Sequence, residues 1–376
     1  MVISTGQRLA AYELVELVGD GDMGMVFKAR DVRLGRWVAL RIVAQDLARD
    51  PVVRARLNRE STLLASLDHP HVAPIYDAGE HDGRLFIATR WVDGPNLAAL
   101  VRENGPLEPR RAVRIVNQAA SALQAAHGLG MMHRNVKPSS ILVAANDLAY
   151  LTDFGLARRR DDMTGLTAEQ HLLDTYDYVA PEYISGAEVD ARVDIYGLGC
   201  VMYTALTAEV PYPRSGAAAK MYAHLSADPP SAHGRNPSVP EQLDAVVRRA
   251  MAKAPDDRQQ TAAEFALEAA GAVGLSAPLW ATREPPVPSP DPTAPAAQPV
   301  VADRIGRQAV VADRAQRDPT APAAREPASD GVSEAEFYEP AYYVDRRPVG
   351  RRILFWTVAL LVFLAAPVAL LIALLH

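Results

Sequence analysis

Cysteine is almost absent from this sequence of 376 residues, in which Cys200 is the single example. One cysteine cannot form an intrachain disulfide, and it excludes zinc sites built from several cysteines. The composition is therefore typical of a protein in a reducing compartment such as the cytosol. Because Cys200 lies in the apolar stretch 198–203, we interpret it as a core residue rather than a reactive thiol.

Lysine is also scarce, and four of the 39 basic residues are lysines: Lys28, Lys137, Lys220 and Lys253. Any catalytic lysine must therefore be one of these four. The formal net charge of -6 lacks the positive excess that is typical of proteins that bind nucleic acids. We therefore expect proteins and small molecules, not nucleic acids, as partners.

Charged residues are missing from residues 353–375, a stretch of 23 residues. At about 1.5 Å per residue, a helix of this length crosses the roughly 30 Å hydrocarbon layer of a membrane. The alternative is a buried core helix, which rarely runs this long without a polar face. Arg346, Arg347, Arg351 and Arg352 precede the stretch, so the positive-inside rule places the rest of the chain in the cytoplasm. We therefore predict a single-pass cell-membrane protein.

Residues 275–352 are rich in proline and alanine and contain two short repeated sequences. One repeat begins at Asp291 and again at Asp318, and the other begins at Val300 and again at Val310. This composition cannot bury enough apolar surface to fold, so we predict a disordered linker next to the membrane. The predicted organisation is a folded domain at 9–274, this linker, and a transmembrane helix at 353–375.

The predicted folded domain begins with short alternating apolar runs and continues with helical patterns. The runs at 12–18, 25–29 and 37–43 indicate an antiparallel sheet. Asp50 and Pro51 are typical of the start of a helix. Helical apolar spacing follows at 111–126, 190–208, 241–252 and 261–272. The predicted fold class is therefore α+β, with an N-terminal antiparallel sheet, one helix beside it, and a helical second part.

Three glycines, Gly19, Gly21 and Gly24, lie close together between the first two predicted long strands, and Val26 follows them. Glycines let backbone amides approach phosphates, and Val26 can cover a flat base. In the dinucleotide-binding motif a helix follows the glycines, whereas a strand follows here. The pattern therefore favours a phosphate-covering hairpin, with a simple glycine-rich turn as the alternative.

Further motifs follow this hairpin in a fixed order. They are Val38-Ala39-Leu40-Arg41, Glu60, the loop from His133 to Ser140, Asp153-Phe154-Gly155, and Ala180-Pro181-Glu182. Together these motifs resemble the eukaryotic-like, or Hanks-type, Ser/Thr protein kinases of the membrane-bound bacterial type. The resemblance implies a two-lobed kinase fold, with a sheet-rich N-lobe, a helical C-lobe and a nucleotide between them.

The resemblance also implies residues that bind ATP with Mg²⁺ or Mn²⁺. Thr89 corresponds to the gatekeeper, and residues 90–92 correspond to the hinge whose backbone meets adenine. Asp153 corresponds to the metal-binding aspartate, and Lys137 to the catalytic-loop lysine that meets the terminal phosphate. The expected nucleotide-binding residues are Gly19, Gly21, Gly24, Val26, Ala39, Arg41, Thr89, Arg90, Val92 and Leu142.

Arg41 stands where the family has the lysine that contacts the nucleotide phosphates and pairs with the helix carboxylate, here Glu60. Arginine keeps the positive charge, but its planar head cannot occupy the same point. We therefore expect a two-pronged pair between Arg41 and Glu60, with a neutral exchange of lysine for arginine as the alternative. Lys28 is not expected to replace the lost lysine, because strand alternation places it opposite Phe27, in an exposed position.

Two catalytic-loop positions also depart from the family pattern. Asn135 replaces the catalytic aspartate, and its amide cannot accept a proton at neutral pH. General-base help contributes about 100- to 10,000-fold in rate, so this change alone predicts very slow turnover. Ser140 replaces the metal-binding asparagine and offers a weaker ligand, which leaves one metal position in doubt.

Other positions match structural features of the family. Glu182 and Arg258 correspond to the C-lobe ion pair, and Asp194 to the aspartate that braces the catalytic loop. His133 and Phe154 correspond to packing residues, so we do not interpret His133 as a base.

Residues 158–174 match the activation loop of the family, with Thr164 and Thr167 as candidate phosphorylation sites. Glu169 lies two residues after Thr167, and its fixed negative charge could imitate a phosphothreonine that binds Arg134. An ordinary glutamate in a surface loop is the alternative.

The leading hypothesis is a membrane-anchored pseudokinase that binds ATP and acts by binding other proteins, either active kinases or their substrates, at the cytoplasmic face, as a scaffold or allosteric regulator. The second hypothesis is a weakly active Ser/Thr kinase that uses Arg41 and Asn135 in altered roles. The third is an interaction module that binds no nucleotide.

Overall fold

A computed structural model describes residues 3–21, 24–154, 176–278 and 280–281. All of them fall in the first of two units, Met1–Arg317, and the second unit, Asp318–His376, lies outside them. Within these described ranges, no helix is both long enough and apolar enough to cross a membrane. The predicted membrane helix and nearly all of the predicted linker lie outside the described residues and stay predictions.

The N-lobe is built on one antiparallel sheet of six strands in the order β1-β2-β3-β4-β6-β5. The strands are β1 (Arg8–Leu9), β2 (Tyr12–Gly21), β3 (Gly24–Asp31), β4 (Arg36–Val43), β5 (Ile75–His81) and β6 (Arg84–Arg90). Phe27 and Ala29 on β3 pack with Val38 and Leu40 on β4 in a buried apolar cluster. Alternate residues of these strands therefore form one buried face within the N-lobe, as the predicted antiparallel sheet requires.

Two helices accompany this sheet, α1 (Gln45–Arg49) and α2 (Pro51–Ser66). Helix α2 begins at the predicted proline, whereas the single turn α1 was not predicted. Arg54 on α2 pairs with Glu80 on β5 at 2.5 Å. This contact and the apolar cluster around Leu57 hold α2 against the sheet, with Glu60 on the cleft side.

The C-lobe is mainly helical. Its helices are α3 (Leu97–Asn104), α4 (Pro109–Gly128), α5 (Pro181–Ser185), α6 (Arg192–Thr207), α7 (Ala217–Ser226), α8 (Ala232–Arg235), α9 (Glu241–Ala250) and α10 (Ala262–Ala272). Two short strands, β7 (Ile141–Val143) and β8 (Ala149–Leu151), pair antiparallel. The four helical patterns of the sequence correspond to α4, α6, α9 and α10, with ends that differ by at most a few residues.

Helix α6 forms the centre of the C-lobe and is buried from Val193 to Thr207. A Cβ atom added at Gly197 would lie 2.8 Å from Val136 Cβ, and one at Gly199 would lie 2.8 Å from Ala250 Cβ. Helix α6 therefore packs closely against both the catalytic loop and α9. This packing fixes the loop that the sequence predicts to be catalytic.

Candidate active site

A cavity of about 400 Å³ lies between the N-lobe sheet and the C-lobe. It brings together residues that are far apart in the sequence but were predicted to share one site. The predicted site residues that line it are Gly19, Val26, Ala39, Arg41, Glu60, Thr89, Arg90, Val92, Leu142 and Asp153.

One end of the cavity is an apolar slot. Val26 and Ala39 line it from the sheet, and Leu142 lines it from β7. The Thr89 hydroxyl donates a hydrogen bond to the Ala39 carbonyl oxygen at 3.4 Å, which joins the predicted gatekeeper to β4. An apolar slot beside a hinge backbone fits a flat aromatic base.

The glycine hairpin has one position that requires glycine. Gly24 has a φ of +108°, and an added Cβ atom would lie 2.0 Å from the Ile42 carbonyl oxygen. At Gly19, by contrast, an added Cβ atom would lie 3.9 Å from Val26 Cβ, an ordinary contact. Gly24 therefore serves the close approach of β3 and β4, while Gly19 lines the cavity. Gly21 ends β2, and the next two residues lie outside the described ranges.

Arg41 extends from β4 to the opposite side of the cavity. Its Nη2 atom lies 2.5 Å from Asp153 Oδ1, and the two side chains are 19% and 31% exposed. In the part of the chain that the structure describes, the acidic partner of Arg41 is thus Asp153 and not the predicted Glu60. The arginine side chain is longer than the family's lysine, and its guanidinium pairs with a carboxylate of the C-lobe.

A buried carboxylate holds the catalytic loop. Asp194 accepts hydrogen bonds from the backbone amides of His133 and Arg134, at 2.8 and 2.7 Å, and from His127 Nε2 at 2.8 Å. Burial opposes the charge on Asp194, but the His127 hydrogen bond and the nearby imidazoles keep its carboxyl pKa below the usual range. The structure therefore confirms the predicted bracing role of Asp194.

His133 is fully buried, and its ring lies 4.8 Å from that of Phe154. Its Nε2 atom lies 2.8 Å from the Thr152 carbonyl oxygen, and its Nδ1 atom accepts a hydrogen bond from the Asn135 amide at 3.2 Å. Burial lowers the pKa of His133. A neutral, fully bonded imidazole packs the site and does not act as a base, as the sequence indicated.

The predicted catalytic-loop residues do not line the cavity, although their neighbour Ser139 does. The loop contributes Ser139 to the cavity lining, rather than Asn135, Lys137 or Ser140. Ser140 is completely buried, and its hydroxyl donates to the Asn135 carbonyl oxygen at 3.4 Å. The predicted weak metal ligand therefore points its hydrogen-bonding group into the loop, where it supports the backbone at Asn135.

The cavity fits the base and the phosphates of a nucleotide better than it fits a metal ion. The apolar slot suits a base, and the Arg41 guanidinium suits a phosphate group. The metal end fits poorly, because the Asp153 carboxylate is in an ion pair and Ser140 is buried. Among the described residues, no group of three or more histidine, cysteine, aspartate or glutamate side chains could hold a metal ion.

Lys28 lies on the strand face opposite Phe27, as predicted, but it is partly buried rather than exposed. Its Nζ atom lies 5.1 Å from the ring centre of Trp37 and 4.7 Å from that of Trp91. Cation-π contacts with both rings account for the difference. The strand pattern carried no signal for Trp91, which approaches from the hinge.

Outside the cleft, the predicted structural pair is present. The guanidinium of Arg258, with no exposed surface, donates two hydrogen bonds of 2.7 Å to the Glu182 carboxylate. Cys200 is buried, and burial raises the pKa of its thiol, in agreement with a core role. Thr164, Thr167 and Glu169 lie outside the described residues, so the phosphorylation sites and the contact of Glu169 with Arg134 stay predictions.

Comparison with known proteins agrees with this geometry. The family described as Protein kinase domain matches residues 12–268. The chain is 43% identical over 282 residues to the Serine/threonine-protein kinase PknD of Mycobacterium tuberculosis, covering 75% of this chain and 42% of that protein. It is 41% identical over 304 residues to PknH of the same organism, covering 77% and 48%. The chain thus spans less than half the length of these curated relatives.

A solved structure is also similar. The kinase domain of Mycobacterium tuberculosis PknI is 30% identical and superposes with a TM-score of 0.60, covering 73% of this chain and 100% of that domain. Members of the protein kinase family generally use ATP with Mg²⁺. This chain belongs to the protein kinase family, as a member of the Hanks-type bacterial Ser/Thr group.

Proposed function

We propose that this protein is a membrane-anchored pseudokinase, which binds a nucleotide in its cleft and acts by binding other proteins. The observation that carries the proposal is the ion pair between Arg41 and Asp153, next to a catalytic loop with Asn135. Phosphoryl transfer depends on charges placed on the phosphates, held metal ions and an aligned hydroxyl. Arg41, which would contact the phosphates, and Asp153, which would hold a metal ion, neutralise each other here. Asn135 cannot accept the proton of the hydroxyl.

The intact scaffold supports a binding role. The Glu182–Arg258 pair and the Asp194 hydrogen bonds hold the C-lobe and the catalytic loop as a folded unit. These buried contacts support a folded C-lobe, which a role in binding other proteins requires. We infer that the partners are active kinases or their substrates at the cytoplasmic face, where the predicted helix at 353–375 would hold the domain.

The proposal is tested by incubating the purified chain with labelled ATP, Mg²⁺ or Mn²⁺, and a generic protein substrate. We expect no more label on the chain or the substrate than with the Asp153→Ala variant. Thermal unfolding of the same samples with ATP reports binding, since a ligand at 100 times its dissociation constant adds about 2.7 kcal/mol of stability. Absence of that stabilisation with and without metal would instead support an interaction module that binds no nucleotide.

A second function, weak Ser/Thr kinase activity, is favoured by the ordered loop around Asn135. Its backbone amide is fixed to His133, and the preceding residues are fixed to Asp194. With the backbone held in this way, the side-chain amide of Asn135 can still orient a hydroxyl. This function predicts phosphate on Thr164 or Thr167 in protein produced without any other kinase, which mass spectrometry detects.

A further inference from the structure

We propose that the Arg41 guanidinium takes the place of a divalent cation beside Asp153, so that the cleft binds nucleoside di- and triphosphates without metal. This inference rests on the proposed nucleotide-binding function and deepens it. The two side chains meet at 2.5 Å inside the cavity, below the glycine hairpin. The ion pair therefore occupies the part of the cleft into which the phosphates of a bound nucleotide would extend.

The ligand set for a metal is incomplete at this position. Mg²⁺ needs near-octahedral oxygen ligands and usually takes one or two carboxylates together with water and phosphate oxygens. Asp153 offers a carboxylate that already accepts a charged hydrogen bond from Arg41. Ser140 is buried and donates its hydroxyl to a backbone carbonyl. A metal ion at Asp153 would therefore displace the guanidinium or lie against it, and the like charges would repel each other.

The charge at the site favours a phosphate without metal. An unpaired Asp153 carboxylate would repel phosphate oxygens, and the family's metal ion normally removes this repulsion. Here the positive charge of Arg41 neutralises the carboxylate directly. A guanidinium has five N–H donors, so the hydrogen bond to Asp153 leaves donors that can bind phosphate oxygens. One side chain thus performs the work of both the family's lysine and its metal ion in binding.

The test measures the binding of ADP and of a non-hydrolysable ATP analogue to the whole chain by calorimetry, in EDTA and in Mg²⁺. We expect dissociation constants that agree within about threefold between the two conditions. Arg41→Ala should weaken binding in EDTA by about ten- to a hundredfold, the usual range for a lost hydrogen bond to a charged group. Arg30→Ala, which removes an exposed arginine from the same sheet, is the matched control and should leave binding unchanged.

Asp153→Ala separates the two explanations further. If the metal is dispensable, this variant should bind nucleotide in EDTA at least as tightly as the parent chain, because a negative charge near the phosphates is removed. Circular dichroism and thermal unfolding without ligand check that each variant folds. Binding that requires Mg²⁺ and is lost in Asp153→Ala would overturn the inference but leave the proposed function intact. Absence of binding in every condition would instead contradict the nucleotide-binding function itself.

Discussion

The guanidinium of Arg41 lies 2.5 Å from the carboxylate of Asp153, a residue 112 positions further along the chain. The pair joins strand β4 of the N-lobe to the segment that follows β8 in the C-lobe. In the family, these positions serve the phosphates and the metal ion. Their direct contact therefore joins the lobes and places these two charged groups against each other.

Restoring the family's residues at the three positions where this chain differs should recover phosphoryl transfer. We expect Arg41→Lys, Asn135→Asp and Ser140→Asn together to raise the transfer rate by at least about 100-fold, since a positioned general base alone contributes about 100- to 10,000-fold. The rate is measured with labelled ATP and Mg²⁺. Asn135→Asp alone should recover less, because Arg41 still engages Asp153. A triple variant without activity would show that the defect also lies elsewhere.

The two glycines of the hairpin should differ in their tolerance of alanine. Gly24→Ala should destabilise the N-lobe and weaken nucleotide binding, because its Cβ atom would meet the Ile42 carbonyl oxygen at 2.0 Å and its φ is +108°. Gly19→Ala is the control, with 3.9 Å to Val26 Cβ. Thermal unfolding and calorimetry of both variants test the difference, and equal unfolding temperatures would contradict it.

The buried ion pair of the C-lobe should be important for stability. Glu182→Ala leaves the Arg258 charge buried without its carboxylate, and removal of one partner of such a pair costs about 3 to 5 kcal/mol. Glu103→Ala breaks a surface pair with Arg102, in which the side chains are 61% and 74% exposed, and should change the free energy of unfolding by less than about 0.5 kcal/mol. Urea denaturation measures both variants. Similar losses of unfolding free energy in the two variants would contradict a stabilising role for the Glu182–Arg258 pair.

Stability should fall on acidification through His224, whose Nδ1 atom lies 2.7 Å from the Tyr196 hydroxyl. Burial lowers the pKa of His224 from 6.5 to about 3. As the pH falls below 6.5, the unfolded chain binds the proton before the folded chain does, so stability present above this pH is lost towards pH 3. The loss approaches about 1.4 kcal/mol per pH unit.

Denaturation at several pH values checks this dependence. His224→Gln should flatten the slope between pH 6 and pH 4. An unchanged slope in His224→Gln would show that other groups, such as the partly buried His69, cause the acid sensitivity. The pKa of His69 is also lowered by burial, to about 4.

The fold and most of the cleft followed from the sequence because the motifs have fixed places in one known architecture. Apolar alternation marked strands β2, β3 and β4, and proline marked the start of α2. The pair Glu182–Arg258 and the bracing role of Asp194 also followed, since each position serves packing in the whole family. Such roles depend on backbone geometry, which the resemblance carries with it.

The details that the sequence missed depend on side-chain reach. Arg41 was expected to meet Glu60, but its longer head meets Asp153 instead. Lys28 was expected in solvent, but Trp91 approaches it from another segment. Ser140 was expected to face a metal ion, but its hydroxyl contacts the Asn135 backbone. Each contact joins residues whose relative placement depends on the tertiary fold, so no local pattern could predict it.

The central claim is that the cleft binds a nucleotide but does not transfer its phosphate efficiently. The most direct measurement is a single-turnover experiment, with the chain in excess over γ-labelled ATP and with Mg²⁺ present. The chain should retain the label as bound nucleotide and transfer no more to protein than Asp153→Ala does. Transfer to serine or threonine that exceeds this control, and that Asp153→Ala abolishes, would contradict the claim.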